Sequence, residues 1–559
     1  MGSVETGRGR RFRLPDSRDF YCPNGFNTII DTKRSELQKS WPALLLLAAC
    51  LAPAVALGVD VPSAVMTFES QGQVAARNRI DELVFARWKE LGIKPANLCS
   101  DSVFLRRAWL DITGTLPTAQ QSAGFLNSKD PNKRAALIDQ LLSSEEYADY
   151  WAMKWSDLLR VKAEFPINLW PNAAQTYYHW IRDSIAENKP YDQFARALLT
   201  ESGSNFRVPP VNFYRAMQNR EPAGMAQAVA LTFMGVRTEK WPADRLAQMA
   251  AFFSQVDLKH SGEWKEEIIF FNPEKPAAGS LIFPDGTPAR LRPGEDPREA
   301  FAQWLITPKN PWFARNIVNR AWYWLLGRGI IHEPDDIRPD NPAENPALLA
   351  YLENELVSSH YDLKHILLLI LNSTTYQLSP IPQAGRTEAA QHFAAYPLRR
   401  LDAEVLIDAL GQITGTSETY TSAIPEPYTF MPDFQRAVGL PDGSISSSFL
   451  ELFGRPSRDT GMESERNNKL NDAQELHLLN SSFVQRKIQQ GPRMAALLRT
   501  RNPQELVSQI YLTILSRYPT DAELKLAAAH SQSGSARGQT AAVDFVWALI
   551  NSAEFLYRH

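Results

Sequence analysis

Three stretches far apart in the chain carry nearly one text: LLSSEEY (Leu141–Tyr147), ILNSTTY (Ile370–Tyr376) and LINSAEF (Leu549–Phe555). Each sits on a segment whose apolar residues recur with helical spacing. Longer echoes surround them. In FLRRAWLDITGTLPTAQQSAGFL (Phe104–Leu126) a helix stops at Gly114, and Pro117, Thr118 and Gln121 open the next one. In LVSQIYLTILSRYPTDAELKLAAA (Leu506–Ala529) the layout returns, with Tyr511 for Trp109, Pro519 for Pro117, Thr520 for Thr118 and Glu523 for Gln121. Thr-x-x-Gln/Glu at a helix start is a capping box, two side chains each satisfying the other's orphan backbone N–H. YDQFARALLT from Tyr191 and YDLKHILLL from Tyr361 form a further pair, with Asp192 and Asp362 expected as N-caps. Either one helical unit recurs in both halves, or cap chemistry alone produces the likeness. Both readings require a mainly α chain.

The expected architecture is multi-helical, with two helical domains joined by a small β-hairpin insert. The first domain spans 75–256 and the second 298–559, with an irregular excursion near 414–470 rich in Thr, Ser, Pro and Gly. Between them, 257–297 reads as β-like: EEIIFF and SLIFPDGTPARL have strand composition, and Pro284-Asp285-Gly286 marks a tight turn. With 559 residues, 44% of them hydrophobic, the chain can bury a large core. A net charge of −3 supplies no basic field to attract nucleic acid.

Residues 1–58 read as a presequence. A basic region precedes an apolar run from Trp41 to Gly58 that ends in small residues (Ala54-Val55-Ala56), the layout of an export signal. The run is short for a membrane span and carries Pro42 and Pro53, but an uncleaved anchor at 41–58 is an alternative. LAAC (Leu47–Cys50) also resembles a lipoprotein processing box. The expected location is periplasmic or extracellular, with membrane contact only through this segment. Cys22 and Cys50 fall in the presequence, leaving Cys99 alone at a helix start, read as a small structural residue.

A search for chemistry finds no G-x-S-x-G, no phosphate-binding glycine loop, no H-E-x-x-H and no C-x-x-C-H. The nine histidines have no metal-ligand spacing, so neither a metal nor a cofactor is expected. Three polar constellations remain. GSNFRVPPVNFYR (Gly203–Arg215) offers Asn205 and Arg207. A helix with Asn319 and Arg320 stops at Gly327, and the loop beyond it brings Asp335, Asp336, Arg338 and Asp340. FGRPSRDTGMESER (Phe453–Arg466) packs Arg455, Arg458, Glu463, Glu465 and Arg466 together. Clustered arginines can clamp an anionic or sugar ligand, and Glu463, Glu465, Asp335 or Asp336 could serve as acid or base. The three aspartates could also cap Ca²⁺, though their spacing matches no loop motif. Otherwise these groups hold loops and domains together. Trp151, Trp155, Trp304, Trp322 and Trp324 fall at helical spacings and read as core.

The constellations, in this order, resemble the planctomycete-type cytochrome-associated pair of domains of unknown function. FLRRAWLDITGTLPTAQQ, EEYADYWAMKWSDLLRV and GSNFRVPPVNFYRA carry the first, PSCyt-two-like domain. NPWFARNIVNRAWYWLLGRGI, DDIRPDNPAENPALLAYLENEL, YDLKHILLLILNSTTYQ and FGRPSRDTGMESER carry the second, PSD-one-like domain. The resemblance implies an extracytoplasmic protein, and in many relatives a haem motif between a Leu-Gly-Val-like and an Ala-Ala-Phe-Phe-like flank. Here Gly235-Val236 and Ala250–Phe253 keep the flanks around RTEKWPADRLAQM, which has no cysteine or histidine. That segment reads as a turn between two packed helices, the second begun by Pro242 with Asp244 in its first turn. Relatives also carry cysteines where this chain has Met462 and Ser464. The expected function is therefore a haem-free helical binding or assembly protein of the cell envelope, with an envelope protein or polysaccharide as partner. An extracytoplasmic, glycan-directed enzyme is the alternative, and a non-covalent haem carrier the third reading.

Overall fold

Side-chain caps open many of the helices in the computed structural model, which describes residues 67–276, 279–383, 385–532 and 538–559. The expectations for residues 1–58 lie outside the described residues. Among the described residues no helix is long and apolar enough to cross a membrane.

The chain is mainly helical. Its first half contains α1 (Arg79–Leu91), α2 (Asp101–Ile112), α3 (Ala119–Asn127), α4 (Lys133–Leu142), α5 (Glu145–Leu158), α6 (Pro171–Ala186), α7 (Tyr191–Thr200), α8 (Pro222–Val229) and α9 (Ala243–Ala251). The second half contains α10 (Pro297–Leu305), α11 (Phe313–Leu326), α12 (Pro346–Ser358), α13 (Leu363–Leu371), α14 (Ala403–Thr414), α15 (Pro503–Ile514), α16 (Asp521–Gln532) and α17 (Gln539–Ile550), with further helices between. The described residues form one compact unit with a continuous core.

The three echoing texts adopt one hydrogen-bond arrangement. The hydroxyls of Ser144, Ser373 and Ser552 accept from the backbone N–H three residues on (Tyr147, Tyr376, Phe555) at 3.3, 3.1 and 3.2 Å. Each donates back to the carbonyl three residues earlier (Leu141, Ile370, Leu549) at 2.8, 2.6 and 2.7 Å. One small side chain thus ends a helix and caps the next turn. The capping boxes form twice as well: Thr118 with Gln121 ahead of α3, and Thr520 with Glu523 ahead of α16. The two copies also meet, since the Ser122 hydroxyl in α3 donates to the Leu512 carbonyl in α15 and buried Arg106 in α2 donates to Ile514 O and Phe555 O.

The Tyr-Asp pair behaves unequally. Asp362 caps α13 by accepting from His365 N at 3.0 Å. Asp192 is not an N-cap. Pro190, with φ fixed near its observed −52°, starts α7 before it, so Asp192 falls inside the first turn. The two copies are joined all the same, by Tyr191 N donating to Tyr361 O at 3.0 Å and Asn188 Nδ2 to Asp362 Oδ1 at 3.0 Å.

The insert is a three-stranded antiparallel sheet in the order β1 (Gly203–Ser204), β3 (Glu267–Phe271), β2 (Val256–His260). The first polar constellation therefore supplies its edge strand. SLIFPDGTPARL forms a tight turn with a single bridge, Ile282 to Pro288, rather than a strand, because Pro284 and Pro288 each remove a ladder donor. A second small sheet pairs β4 (Arg399–Arg400) with β5 (Tyr557–Arg558), bringing the C-terminal residues to the core. Trp151, Trp155, Trp322 and Trp324 are buried; Trp304 is only partly buried, stacked at 5.0 Å on Phe283. Cys99 is fully buried. The link after α8 turns at Gly235 (φ +64°), and Pro242 caps α9 with Asp244 in its first turn. Arg245 stacks 4.1 Å over Trp241.

Candidate functional site

Helix α5 carries Tyr150, Lys154 and Asp157 at spacings of four and three, so these three share one face of the helix. That face meets residues of the second half. Asp402, just ahead of α14, accepts from Lys154 (3.2 Å), Arg558 (2.7 Å) and Asn468 (2.6 Å). Arg466 forks onto Glu404 (2.7 and 3.1 Å) and reaches Asp157 (2.6 Å). Arg458 pairs with the other Asp157 oxygen at 2.9 Å. Arg455 lies 3.5 Å from Glu404 and donates to the carbonyls of Ile445 and Asp442. On the far side Arg558 touches Asp111, which also takes the hydroxyls of Tyr376 and Tyr396.

Next to this seam, Arg320 on α11 donates to Asp335 at 2.6 Å and to Glu463 at 3.2 Å. The Glu463 backbone N–H donates to the second Asp335 oxygen at 2.7 Å, and Trp324 Nε1 donates to the Glu463 carboxylate at 3.1 Å. Second and third constellations therefore join, with Lys154 and Asp157 between them. A small cavity remains where Lys154, Asp157, Met462, Glu463 and Arg466 face one another.

Electrostatics separates these carboxylates. Burial opposes the charge on Asp402, but Lys154, Arg558 and Arg466 overcome it and hold the carboxyl well below its usual range. Burial pushes Glu463 up, and the nearby Arg320 and Lys154 offset this only in part. Burial together with Arg458 brings Arg455 down to about 10. Most of these groups find opposite charge or a hydrogen bond inside the molecule, as buried ions must.

Other sequence candidates lie apart from the cluster. Arg207 is exposed on the sheet and pairs with Glu263 at 2.7 Å. Buried Asn205 braces the same sheet, accepting from Glu267 N at 2.9 Å. Asn319 both donates to and accepts from the backbone of Ile331, fixing the loop after Gly327. Glu465 gathers the 457–460 loop, accepting from Asp459 N, Thr460 N and two hydroxyls. Asp336 and Asp340 bind Arg338 at 2.9 and 2.6 Å while Asp335 turns inward to Arg320, so the three aspartates diverge and form no Ca²⁺ cage. None of Arg207, Arg320, Asp336 and Arg458 lines the small cavity beside Lys154 and Glu463.

The two segments where the resemblance places thiols in relatives bracket one loop. Gly235 O accepts from Ile337 N at 2.9 Å, and Glu463 N binds Asp335. A Cβ at Gly235 would stand 2.6 Å from Asn316 Oδ1 and 2.9 Å from Pro334 O, so this contact is close enough to require glycine.

A second feature was missed at the level of sequence. Trp264 in the β2–β3 turn, Trp170 ahead of α6 and Tyr428 in the long excursion form one aromatic cluster, with ring centroids 4.7, 5.3 and 5.5 Å apart. Trp264 is 62% exposed and Tyr428 44%. The Lys265 ammonium lies 5.1 Å from the Trp170 ring and 5.6 Å from Trp264. Trp170 and Lys265 both have left-handed backbone (φ +73° and +63°), a conformation non-glycine residues hold only under constraint. Each ring comes from a different region of the chain.

Among known families, the PSCyt2 model, a protein of unknown function (DUF1549), matches residues 79–257. The PSD1 model, a protein of unknown function (DUF1553), matches residues 297–531. No curated protein and no solved structure matches the chain.

Proposed function

The chain belongs to the proteins that carry a DUF1549 domain followed by a DUF1553 domain, and on that premise we propose that it is an exported, haem-free binding protein that holds a cell-envelope polysaccharide on the Trp170–Trp264–Tyr428 platform. One observation carries the reading: a large, mostly exposed indole fixed at an angle to two other rings, with a cation beside them. Tryptophan and tyrosine faces offer flat apolar area to the C–H faces of a sugar ring, while their polar edges stay hydrated. The Arg207–Glu263 ion pair and Lys265, in the turns beside the sheet, supply hydrogen-bond groups for hydroxyls. The charged constellations act in this reading as a weld between the two family domains, because they are buried and internally paired.

The test is co-sedimentation of the purified chain with insoluble envelope polysaccharide. Wild type should pellet with it, and Trp264→Ala should stay in the supernatant at the same concentration. Equal pelleting of the two proteins, or none by either, defeats the reading.

A second reading, an enzyme acting on such a glycan, draws on Glu463 alone: a carboxyl raised by burial beside a small cavity is the state a general acid needs. It requires glycan cleavage by wild type that is lost in Glu463→Gln while co-sedimentation persists.

A further inference from the structure

One cation at the aromatic platform is held in place yet left unpaired. Lys265 lies in the turn between β2 and β3, where its backbone is left-handed (φ +63°) and its carbonyl accepts from Nδ2 of buried Asn205 at 3.3 Å. Its ammonium stands 5.1 Å from the centre of the Trp170 ring and 5.6 Å from that of Trp264. Among the described residues it has neither an ion pair nor a hydrogen bond. The two acids of the same turn are already engaged. Glu263 pairs with Arg207 at 2.7 Å. Glu266 is buried and accepts the hydroxyls of Ser204 and Ser261, with Arg207 Nε 3.6 Å away.

We infer that the polysaccharide on this platform is acidic, and that Lys265 pairs with an anionic group, a carboxylate or a sulfate ester, on the sugar stacked against Trp264. The inference rests on the platform being the polysaccharide site. A free surface lysine is a flexible, fully hydrated charge that must be ordered before it can pair. Here the two indoles already confine the ammonium to the side where a sugar would stack. Pairing therefore costs little further ordering. A sugar ring lying on Trp264 carries its substituents out past the indole edge, and a cation 5.6 Å from the ring centre is within reach of one of them. A neutral polymer would leave this charge without a counterpart.

The experiment compares one polymer in three forms coupled to the same beads: the envelope polysaccharide as isolated, after reduction of its carboxyl groups to alcohols, and after removal of its sulfate esters. Depletion of the purified full chain from solution gives the affinity for each. One of the two treatments should weaken binding about threefold to fivefold, the range of a single exposed ion pair, and which one does so identifies the anionic group. Lys265→Met, which keeps an apolar stem over the indoles, should weaken the untreated polymer by the same factor and leave the neutralised one unchanged. Lys265→Arg should bind as wild type does. Raising salt from about 0.05 M to about 0.5 M should bring wild type down to the level of Lys265→Met. Equal binding of all three forms by wild type overturns the inference. So does an equal loss for charged and neutralised polymer in Lys265→Met, because a cation that only braced the rings would act on any sugar. Failure of every form to bind, or undiminished binding by Trp264→Ala, instead overturns the platform itself and the inference with it.

Discussion

The charged seam along α5 and the aromatic platform at Trp264 are built from opposite materials and carry opposite obligations. Along the seam, Asp402, Arg466 and Glu404 are buried, and each needs its partners in place because an unpaired ion in the interior is prohibitive. At the platform, Trp264 and Lys265 are exposed, and their loss leaves no buried charge without a partner. Both features draw on both halves of the chain, since Asp157 meets Arg466 and Trp170 meets Tyr428. Only the first, however, can hold the halves together. Substitution should therefore separate the two regions: seam variants change stability, platform variants change binding.

The largest effect is expected from Arg466→Met. It leaves Glu404 with only Arg455, at 3.5 Å, and one oxygen of Asp157 without a partner, which costs about 3–5 kcal/mol for a broken buried pair. Denaturant unfolding followed by circular dichroism measures this, and a loss below about 1 kcal/mol would place the seam among dispensable ion pairs. Replacing Arg466 and Glu404 together by apolar residues should recover part of the loss, because the Glu404 carboxylate is no longer buried short of its main partner.

Titration sharpens the same point on one helix. Asp402 and Asp408 lie within two turns of each other at α14, yet their environments push them in opposite directions. Asp402 is held well below its ordinary 3.8 by three cations, so its stabilisation is present above pH 3.8 and is lost as the pH falls through the folded value. Asp408 is pushed up to about 6 by burial, partly offset by Arg436 and by the N–H groups of Ala437 and Val438. Its folded form favours the proton, so its contribution is intact below pH 3.8 and declines as the pH rises through about 6. Asp408→Asn should therefore gain on wild type between pH 4 and 7, by up to about 3 kcal/mol, and Asp402→Asn should lose least in acid. Unfolding free energies at pH 3, 5 and 7 check both signs; parallel curves for the two variants would contradict the assignment.

How much of this could be read beforehand follows from the range of each interaction. Ser144, Ser373 and Ser552 act on backbone three residues away, so their text alone pointed to the right local structure. Thr118 and Gln121 did the same, as did the helix stop at Gly327. Asp192 misled because its match to Asp362 ignored Pro190, which begins the helix two residues sooner. The arginines and acids of the third constellation were visible as a cluster, but half of their partners were not. Lys154 and Asp157 are two of several charges on their helix, where a charge reads as an exposed position, and only the fold brings Asp402 and Arg466 to them. The platform left no periodic trace at all. Trp264 stands in a charged turn and Tyr428 in an irregular excursion, so nothing local marks them as neighbours.

The smallest change in stability belongs to Trp264→Ala, and it is the decisive variant for the comparison. Its ring is 62% exposed, edge-on to Trp170 and tilted on Tyr428, so the loss should stay within about 0.5 kcal/mol, the range of ordinary surface substitutions. Trp170→Ala should cost more, because that ring is partly buried under both neighbours and under Lys265. If the platform exists to bind, evolution can keep so exposed an indole only through its ligand, and the two variants should lose polysaccharide equally while differing in Tm. Were Trp264→Ala to lower Tm as much as Trp170→Ala, the ring would be a strut for the 428 excursion, and the three-ring geometry would belong with the seam as part of the weld.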